Sequence, residues 1–299
     1  SPSFHKLMKS TATDFGLEIV GCKQIPKVKT HELDIPRLAI YHTWYSTQDD
    51  GWVRFAFDQL DIPFSIINKD DIQTKDLKDN YDVILFSNCR GNSGSDIVNG
   101  LDPSLRGPLA YVKSSEFKYL GSPDSSENIT GGMGIEGVRK LQEFVQEGGL
   151  LILLHNSIRI AVDYGLARGL DILSPNEQFY NPGSLLKGEV ANLMHPISYG
   201  YDREISIFRN HAGPLLDLTD EMDRYVVARY AEEGKICLSG IIKSPHEIKG
   251  KAAIIDIPLR EGHLVLFTFN PFWRDLSHSS YMFVLNVILN HNDLDTGLN

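Results

Sequence analysis

The chain has 299 residues, of which 42% are hydrophobic, and a formal net charge of −10 at pH 7. That length allows one large domain or two small ones with a substantial buried core, so disulfides are not required for stability. Acidic and basic residues are mixed along the chain, and no basic patch creates a field that attracts phosphate backbones. No apolar run reaches the roughly 18 residues that span a bilayer. We therefore expect neither a nucleic-acid partner nor a membrane span.

Cysteine usage and the first residues leave the cellular compartment open. Cys22, Cys89 and Cys237 are far apart, and their odd number argues against a disulfide framework without excluding one bridge. Residues 1–9 lack the apolar stretch of a signal peptide. The localisation is therefore unknown from composition alone.

The beginning of the chain differs from the rest. A short helix is predicted from Phe4 to Phe15, and a connector containing Lys and Pro follows from Lys23 to Pro36. Because the chain begins abruptly in that helix, we interpret residues 1–36 as a helix and connector that join an upstream domain. Residues 37–291 are predicted to form one α/β domain, and residues 292–299 a tail.

The first half of that domain alternates strands and helices. Its strand candidates are apolar throughout instead of alternating, which is typical of a parallel sheet covered by helices on both faces. The predicted strands are 37–41, 64–67, 82–86 and 150–154, and the predicted helices are 50–60, 137–147 and 158–166. This pattern predicts a doubly wound, mostly parallel, flavodoxin-like α/β fold.

The second half is richer in strands. Candidates lie at 185–190, 205–208, 225–230 and 252–257, before a last strand at 263–269 and a closing helix at 279–289. We favour an extension of the same sheet over a separate domain, because the last strand and helix should return to the first core. Residues 87–134, rich in Gly, Ser, Asn, Asp and Pro, form an unusually long excursion.

Polar side chains follow the predicted strands, at the edge where ligands bind in open parallel sheets. The candidate ligand-binding residues are His42, Trp44, Asn88, Arg90, Asn156 and Arg274. Aromatic and Arg side chains suit a carboxylate or sugar ligand, but they would serve a protein interface equally well. The simpler alternative is that each residue only satisfies loop backbone or a helix N-terminus.

The turn His155-Asn156-Ser157 is the obvious position for a nucleophile. Together with Gly131-Gly-Met-Gly134 and Gly148-Gly149 it resembles the core of class I glutamine amidotransferase-like domains, in which a Gly-x-Cys-x-Gly elbow follows the strand. In that alignment Ser157 takes the cysteine position, His155 and Arg159 replace the flanking glycines, and Asn270 takes the position of the base.

The resemblance implies that the catalytic apparatus is incomplete. A serine is not nucleophilic until a base removes its proton, and Asn270 cannot do so. We expect Ser157 to cap the following helix, His155 to be a hydrogen-bonded strand-end residue, and Cys89 to be a buried thiol. These three residues are therefore only weak catalytic candidates. The ten histidines lack the spacing of a zinc motif, so we expect neither a metal nor another cofactor.

A wider set of segments narrows the resemblance. Residues 36–291 are similar to the amidotransferase-like region at the C-terminus of certain bacterial zinc carboxypeptidase-like proteins. The segments that carry it are Pro36-Arg-Leu-Ala-Ile-Tyr, Trp44, Asp50-Gly-Trp-Val-Arg54, Tyr81-Asp-Val-Ile-Leu, Gly132-Met-Gly-Ile-Glu-Gly137, His195-Pro-Ile-Ser-Tyr-Gly200, Gly262-His-Leu-Val-Leu-Phe and Trp273-Arg274. In those proteins the zinc ligands and catalytic glutamate belong to an upstream peptidase domain. The resemblance implies a hydrolase parent that is secreted or periplasmic.

Three hypotheses about function follow. The first is a non-catalytic accessory domain that binds a small molecule or peptide, a partner domain or another copy of itself; here Asp50 caps the first helix, Trp52 packs and Arg54 pairs with an acid. The second is a hydrolase that uses Ser157 or Cys89 with His42 or His155 as base, which requires a histidine nitrogen within hydrogen-bond reach. The third is a structural interaction module, which predicts a filled sheet edge and a large apolar patch elsewhere.

Overall fold

The structure, a computed structural model, describes residues 2–25, 27, 30–31, 33–210, 213–232 and 234–295. The chain divides into two compact units, residues 1–32 and 33–299. The first unit contains α1 (Pro2–Phe15), a helix without a buried residue. The helix predicted at 4–15 is therefore present and begins two residues earlier.

The second unit carries the α/β fold. Its strands are β1 (Leu38–Tyr41), β2 (Ser65–Ile67), β3 (Val83–Phe86), β4 (Leu150–Leu154), β5 (Leu170–Leu173), β6 (Tyr180–Val190), β7 (Glu204–Asn210), β8 (Leu215–Leu218), β9 (Val226–Tyr230), β10 (Cys237–Lys243), β11 (Ala252–Leu259) and β12 (Gly262–Phe267). Its helices are α2 (Thr47–Gln59), α3 (Lys69–Thr74), α4 (Leu77–Asn80), α5 (Gly94–Asn99), α6 (Pro103–Arg106), α7 (Gly134–Gln146), α8 (Ile158–Asp163) and α9 (Tyr281–Leu289).

One ten-stranded sheet organises this unit, with β7 paired to β6 beside the path β10-β6-β9-β11-β12-β4-β3-β1-β2. At one end of the sheet, the neighbouring strands β2, β1, β3, β4 and β12 run parallel. From β12 onwards, the neighbours β11, β9, β6 and β10 pair antiparallel. The fold is thus a mixed α/β sheet whose central part is mostly parallel, with antiparallel strands on the C-terminal side. Within the region 170–260, strands β6, β7, β9, β10 and β11 extend that sheet, which is the arrangement favoured from the sequence.

The parallel strands are buried on both faces, which explains their continuous apolar runs. Alternate residues of β4 enter two different cores, because successive side chains of a strand point to opposite faces. Ile152 packs with residues of α2 and α9, whereas Leu151 and Leu153 pack with residues of α3, α5, α7 and α8. The amphipathic helix α7 contributes Leu141 and Phe144 to the second core.

Three strands have no counterpart in the sequence predictions: β5, β8 and β10. The pair β5–β8 forms a separate two-stranded antiparallel sheet. In β10 the burial is low along the whole strand, so it lacks the apolar run or alternation that identifies a strand. The helix predicted at 158–166 ends earlier, at Asp163. The 87–134 excursion contains α5 and α6 and closes on itself through the bridges Leu101–Gly131 and Tyr111–Ser126.

Candidate ligand site at the carboxyl edge of the sheet

The first parallel strand delivers a buried histidine to the edge. His42 follows β1, and its Nδ1 lies 2.8 Å from Oδ2 of Asp50 in the first turn of α2. Arg54, one turn later, approaches the same oxygen at 3.2 Å. His42 is 1% exposed and Asp50 0%, so the carboxylate is compensated by partners and not by water. The predicted pairing of Arg54 with an acid is confirmed.

The prediction that Asp50 caps α2 is wrong. The helix begins after Ser46, and no side chain caps it. Asp50 lies inside the first turn, where its carboxylate turns away from the helix end towards His42. The predicted packing of Trp52 agrees with its partly buried position against the apolar core.

A second acidic residue of α2, Asp49, joins two strand ends. Asp49 accepts hydrogen bonds from Nδ2 of Asn88, after β3, at 2.7 Å, and from Nδ2 of Asn270, after β12, at 2.9 Å. Burial raises the pKa of Asp49, and the two amide donors oppose that shift only in part. The sequence predictions did not include Asp49, although its place beside Asp50 in a helix's first turn was a usable signal.

The turn after β4 is fixed by the same asparagine. Because Nδ2 of Asn88 faces Asp49, its Oδ1 faces the turn, where it lies 3.0 Å from Nδ1 of His155 and 3.3 Å from the backbone N of Asn156. The network therefore assigns the proton to Nδ1 of His155. His155 has φ 55°, a left-handed conformation that is strained for a residue with a side chain. This residue is hydrogen-bonded at the strand end, as expected.

The hydroxyl of Ser157 is hydrogen-bonded to the backbone at the end of the neighbouring strand β3. It donates to the carbonyl O of Ser87 and accepts from the backbone N of Cys89 at 3.2 Å. The prediction that Ser157 caps the following helix is wrong, since α8 has no side-chain cap and the hydroxyl turns across to the end of β3. Among the described residues, no histidine is hydrogen-bonded to this hydroxyl.

The thiol of Cys89 is poorly suited to nucleophilic chemistry. Its pKa is raised to about 12, mainly by burial and also by the nearby charges of Asp50 and Asp49, while a hydrogen bond with Ser157 acts in the opposite direction. The thiolate is the reactive form, so a thiol that stays protonated at neutral pH is inert. All three cysteines are free, and Cys89 is the buried one.

Other predicted ligand-binding residues lie at the rim. Trp44 is half-buried and donates from Nε1 to the carbonyl O of Asp124 in the excursion, at 3.3 Å. Arg90 and Arg274 are exposed, and Arg274 lies beside the Trp273 ring with a left-handed φ of 53°. The predicted set is therefore divided between an interior pair, His42 and Asn88, and an outer group.

Arg209 of β7 is a further buried residue near the turn after β4. The sequence predictions did not include it, because it lies 52 residues from Ser157 along the chain. It is 1% exposed and donates to the carbonyl oxygens of Thr268, at 3.2 Å, and of Gly213. A Cβ at Gly213 would lie 2.8 Å from both Nη1 of Arg209 and Nε2 of His155. Only glycine leaves room for this close approach.

Several buried polar atoms at the edge lack a hydrogen-bond partner among the described residues: the acceptors Nε2 of His42, Oδ1 of Asp50 and Oδ1 of Asn156, the hydroxyl of Thr43, and the donor Nε of Arg54. Since Nδ1 of His42 is the nitrogen that faces Asp50, its Nε2 is an acceptor in the neutral ring. A buried polar atom without a partner costs about 1–3 kcal/mol. A bound molecule that donates hydrogen bonds would remove that cost.

Two further properties concern the described part of the chain. It contains no group of three or more His, Cys, Asp or Glu side chains arranged to hold a metal ion. None of its helices combines the length and the apolar character that a bilayer crossing demands.

Comparison with solved structures identifies the fold. No family model and no curated protein matches the sequence. The PurLQS structure from Thermotoga maritima, which includes the class I glutamine amidotransferase PurQ, superposes with a TM-score of 0.51 at 17% identity, over 86% of this chain and 99% of that one. The fold is amidotransferase-like. A protein from Bacteroides uniformis described as ThuA-like gives a TM-score of 0.48 at 9% identity, over 90% and 97% of the two chains, too low to carry an argument.

In this amidotransferase-like domain the elbow position is occupied by a different arrangement. The strand β4 ends in a sharp turn, but a left-handed His155 stands where the sequence alignment has a glycine. The hydroxyl of Ser157 binds backbone, and Asn270 binds Asp49. The carboxyl edge thus combines buried acceptors at His42, Asp50 and Asn156 with a rim of Trp44, Arg90 and Arg274.

Proposed function

We propose that this amidotransferase-like domain is non-catalytic and binds a ligand at the carboxyl edge of its sheet. The observation that carries the proposal is the double engagement of the Ser157 hydroxyl with the backbone at Ser87 and Cys89. A nucleophilic serine needs a base as its hydrogen-bond partner and an approachable oxygen. Ser157 is fully buried and has neither.

The hydrogen-bond partners of the two histidines do not support the alternative, a hydrolase. His42 is committed through Nδ1 to Asp50, and His155 through Nδ1 to Asn88. No hydrogen bond connects either ring to Ser157 or Cys89 among the described residues. Cys89 is further disfavoured by its raised pKa of about 12.

The class of ligand follows from the unpartnered atoms. His42, Asp50 and Asn156 each present an acceptor without a donor. A carboxylate brings only acceptors, whereas a sugar brings several hydroxyl donors. Of the two ligand classes that the rim residues suit, the interior therefore favours the sugar, whose hydroxyl oxygens also accept from the unpartnered Nε of Arg54. Trp44 supplies the aromatic surface against which a sugar ring packs.

Ligand-observed NMR of the whole chain tests this proposal, with D-glucose and D-mannitol as hydroxyl donors and succinate as the carboxylate. We expect the polyols to bind and His42→Gln to weaken that binding, because the variant lacks the ring acceptor. The matched control is His278→Gln, an exposed histidine that pairs with Asp275 in a similar way. Binding of succinate alone, or an equal effect of both variants, would reject a polyol site at His42.

We extend the proposal to the parent protein: the domain is the accessory part of a zinc carboxypeptidase-like protein, with an upstream peptidase domain as its partner. The support is the ordered set of segments from Pro36 to Arg274. The described residues offer no cluster that suits zinc, so we assign no zinc-dependent step to them. We expect the purified chain to hold no stoichiometric zinc and to release no C-terminal residues from peptides. Stoichiometric zinc or peptidase activity in the purified chain would overturn the assignment of an accessory role.

The interaction module is a second candidate, favoured by an apolar groove between α2 and α9. This groove of about 350 Å³ is lined by Leu60, Ile62, Leu285 and Leu289 among others. An exposed apolar surface of this kind is typical of an interface. We expect a second copy of the chain to cover it. Sedimentation of the wild type and of Leu289→Lys distinguishes a dimer that the variant disrupts from a monomer in both.

A further inference from the structure

A second polar site lies at the opposite edge of the sheet. Gly148 and His263 stand at the amino ends of the parallel strands β4 and β12, and both line a cavity of about 390 Å³. We call it the amino-edge cavity. It shares no lining residue with the carboxyl-edge site, and nothing in the proposed function uses it.

The floor of the amino-edge cavity is a carboxylate held by two imidazoles. Oδ2 of Asp256 lies 3.1 Å from Nε2 of His195, and Oδ1 lies 2.8 Å from Nδ1 of His263. Asp256 is 4% exposed. Burial would raise its pKa, but the hydrogen bonds and charges of the two histidines outweigh burial, so its pKa lies below the ordinary value.

The hydrogen bonds fix the proton positions on both rings. The backbone N of Ile197 donates to Nδ1 of His195, so the proton of His195 is on Nε2 and points at Asp256. His263 donates from Nδ1 to the same carboxylate, which leaves a lone pair on Nε2. An imidazole oriented by a carboxylate in this way is a good acceptor of a hydrogen bond or a proton.

The free side of the His263 ring faces the cavity. Its Nδ1 edge is directed at the buried Asp256, and the side chain is still 16% exposed, so the exposed part is the opposite edge with Nε2. No hydrogen bond joins this Nε2 to a described residue. His195 differs, because both of its nitrogens are already used.

The walls of the cavity carry both signs of charge. Arg224 and Arg260 line it without a carboxylate partner among the described residues, and Arg224 instead stacks over the Tyr225 ring. Glu261, next to Arg260 in the turn between β11 and β12, supplies a negative charge on the same rim. Asp293 and Asp295 also line the cavity.

We infer that the amino-edge cavity binds a small zwitterion of the α-amino acid class, whose ammonium group donates to Nε2 of His263 and whose carboxylate faces Arg260 and Arg224. A simple anion would be repelled by the acidic rim, and a simple cation by the two guanidiniums. In a molecule with both charges, the anionic group pairs with the guanidiniums and the cationic group lies near the acidic residues. The imidazole acceptor at the floor selects for the end that carries N–H donors.

Histidine-ring NMR of the whole chain tests the inference, with L-alanine as probe and methylammonium and acetate as single-charge controls. We expect L-alanine to shift the Nε2 resonance of His263 at millimolar concentration and to bind about tenfold more tightly than either control. Equal affinity for the three probes, or no change at His263 on adding L-alanine, would overturn the inference.

Two variants separate binding from folding. His263→Gln removes the ring, and Arg260→Gly removes a guanidinium at a position with φ 57°, where glycine is well tolerated. Each should weaken L-alanine binding about tenfold, a loss of 1.4 kcal/mol by the standard relation. The control His246→Gln changes an exposed histidine that pairs with Glu247 and should bind as the wild type. Unchanged binding in a folded Arg260→Gly protein would contradict the zwitterion.

Discussion

The side-chain amide of Asn270 donates a hydrogen bond to Oδ1 of Asp49 over 2.9 Å, and so joins the end of β12 to the first turn of α2. Asn270 also accepts from the backbone N of Phe272 at 3.0 Å. Both ends of its amide are therefore occupied in the structure. The residue that the sequence alignment places at the family's base position thus connects a strand end to a helix.

Replacing that connection should cost stability. Asn270→Ala leaves the buried carboxylate of Asp49 with one donor in place of two, and we expect the free energy of unfolding to fall by about 1–3 kcal/mol. Urea unfolding measures the change. Asn292→Ala is the matched control, because Asn292 donates to Asp34 at an exposed site. A change at Asn270 no larger than that at Asn292 would mean that the connection is dispensable.

Ser157→Ala separates a structural serine from a catalytic one. The variant leaves the Ser87 carbonyl and the Cys89 N–H without a partner, so we expect a loss of about 1–3 kcal/mol in unfolding free energy. Ser280→Ala is matched in burial and likewise loses two hydrogen bonds, in this case both to carbonyl groups. Ligand binding should change by only a few fold in both variants. A selective loss of function in Ser157→Ala would restore the catalytic hypothesis.

The three cysteines should differ in reactivity with iodoacetamide. Cys22 is exposed, Cys237 is partly buried, and Cys89 is buried with a raised pKa of about 12. We expect alkylation of native protein at pH 8 to proceed in that order, with Cys89 protected until the chain unfolds. Peptide mass spectrometry follows each site. Rapid modification of native Cys89 would show that its thiol is both accessible and activated.

Because the pKa of the buried Asp256 is lowered, we expect the free energy of unfolding to depend on pH in the acid range. Its pKa in the folded chain is lowered, so its contribution is present above the unfolded value of about 3.9 and is lost as pH falls through the folded value. The unfolding free energy of the wild type should therefore decline between about pH 5 and pH 2 more steeply than that of Asp256→Asn. The exposed Asp58→Asn should keep the wild-type slope. Parallel slopes for all three proteins would contradict the assignment.

Most of the sheet was predictable because its strands leave a strong signal. The runs at 82–86 and 150–154 are apolar throughout, and they correspond closely to β3 and β4 in a sheet covered on both faces. β10 was not predictable, because an exposed edge strand needs no apolar residues. The end of α8 was placed three residues too late, since Tyr164 and Leu166 continue the apolar pattern after the helix ends.

At the carboxyl edge, sequence placed residues at strand ends but could not pair them. His42 and Asn88 were predicted individually, yet their partners Asp50 and Asp49 come from α2 and depend on the direction in which each carboxylate turns. Asp50 and Ser157 were both expected to cap helices. In each case the side chain instead binds a neighbouring strand end, because burial there demands a partner.

Ammonia release from L-glutamine by the purified chain tests the central claim most directly, measured for the wild type, Ser157→Ala and Cys89→Ala. With Ser157 bound to backbone, Cys89 protonated and Asn270 in the base position, we predict no release above the buffer rate in any of the three. Turnover in the wild type that falls by about a hundredfold in either variant would show an active nucleophile at this turn and contradict the account.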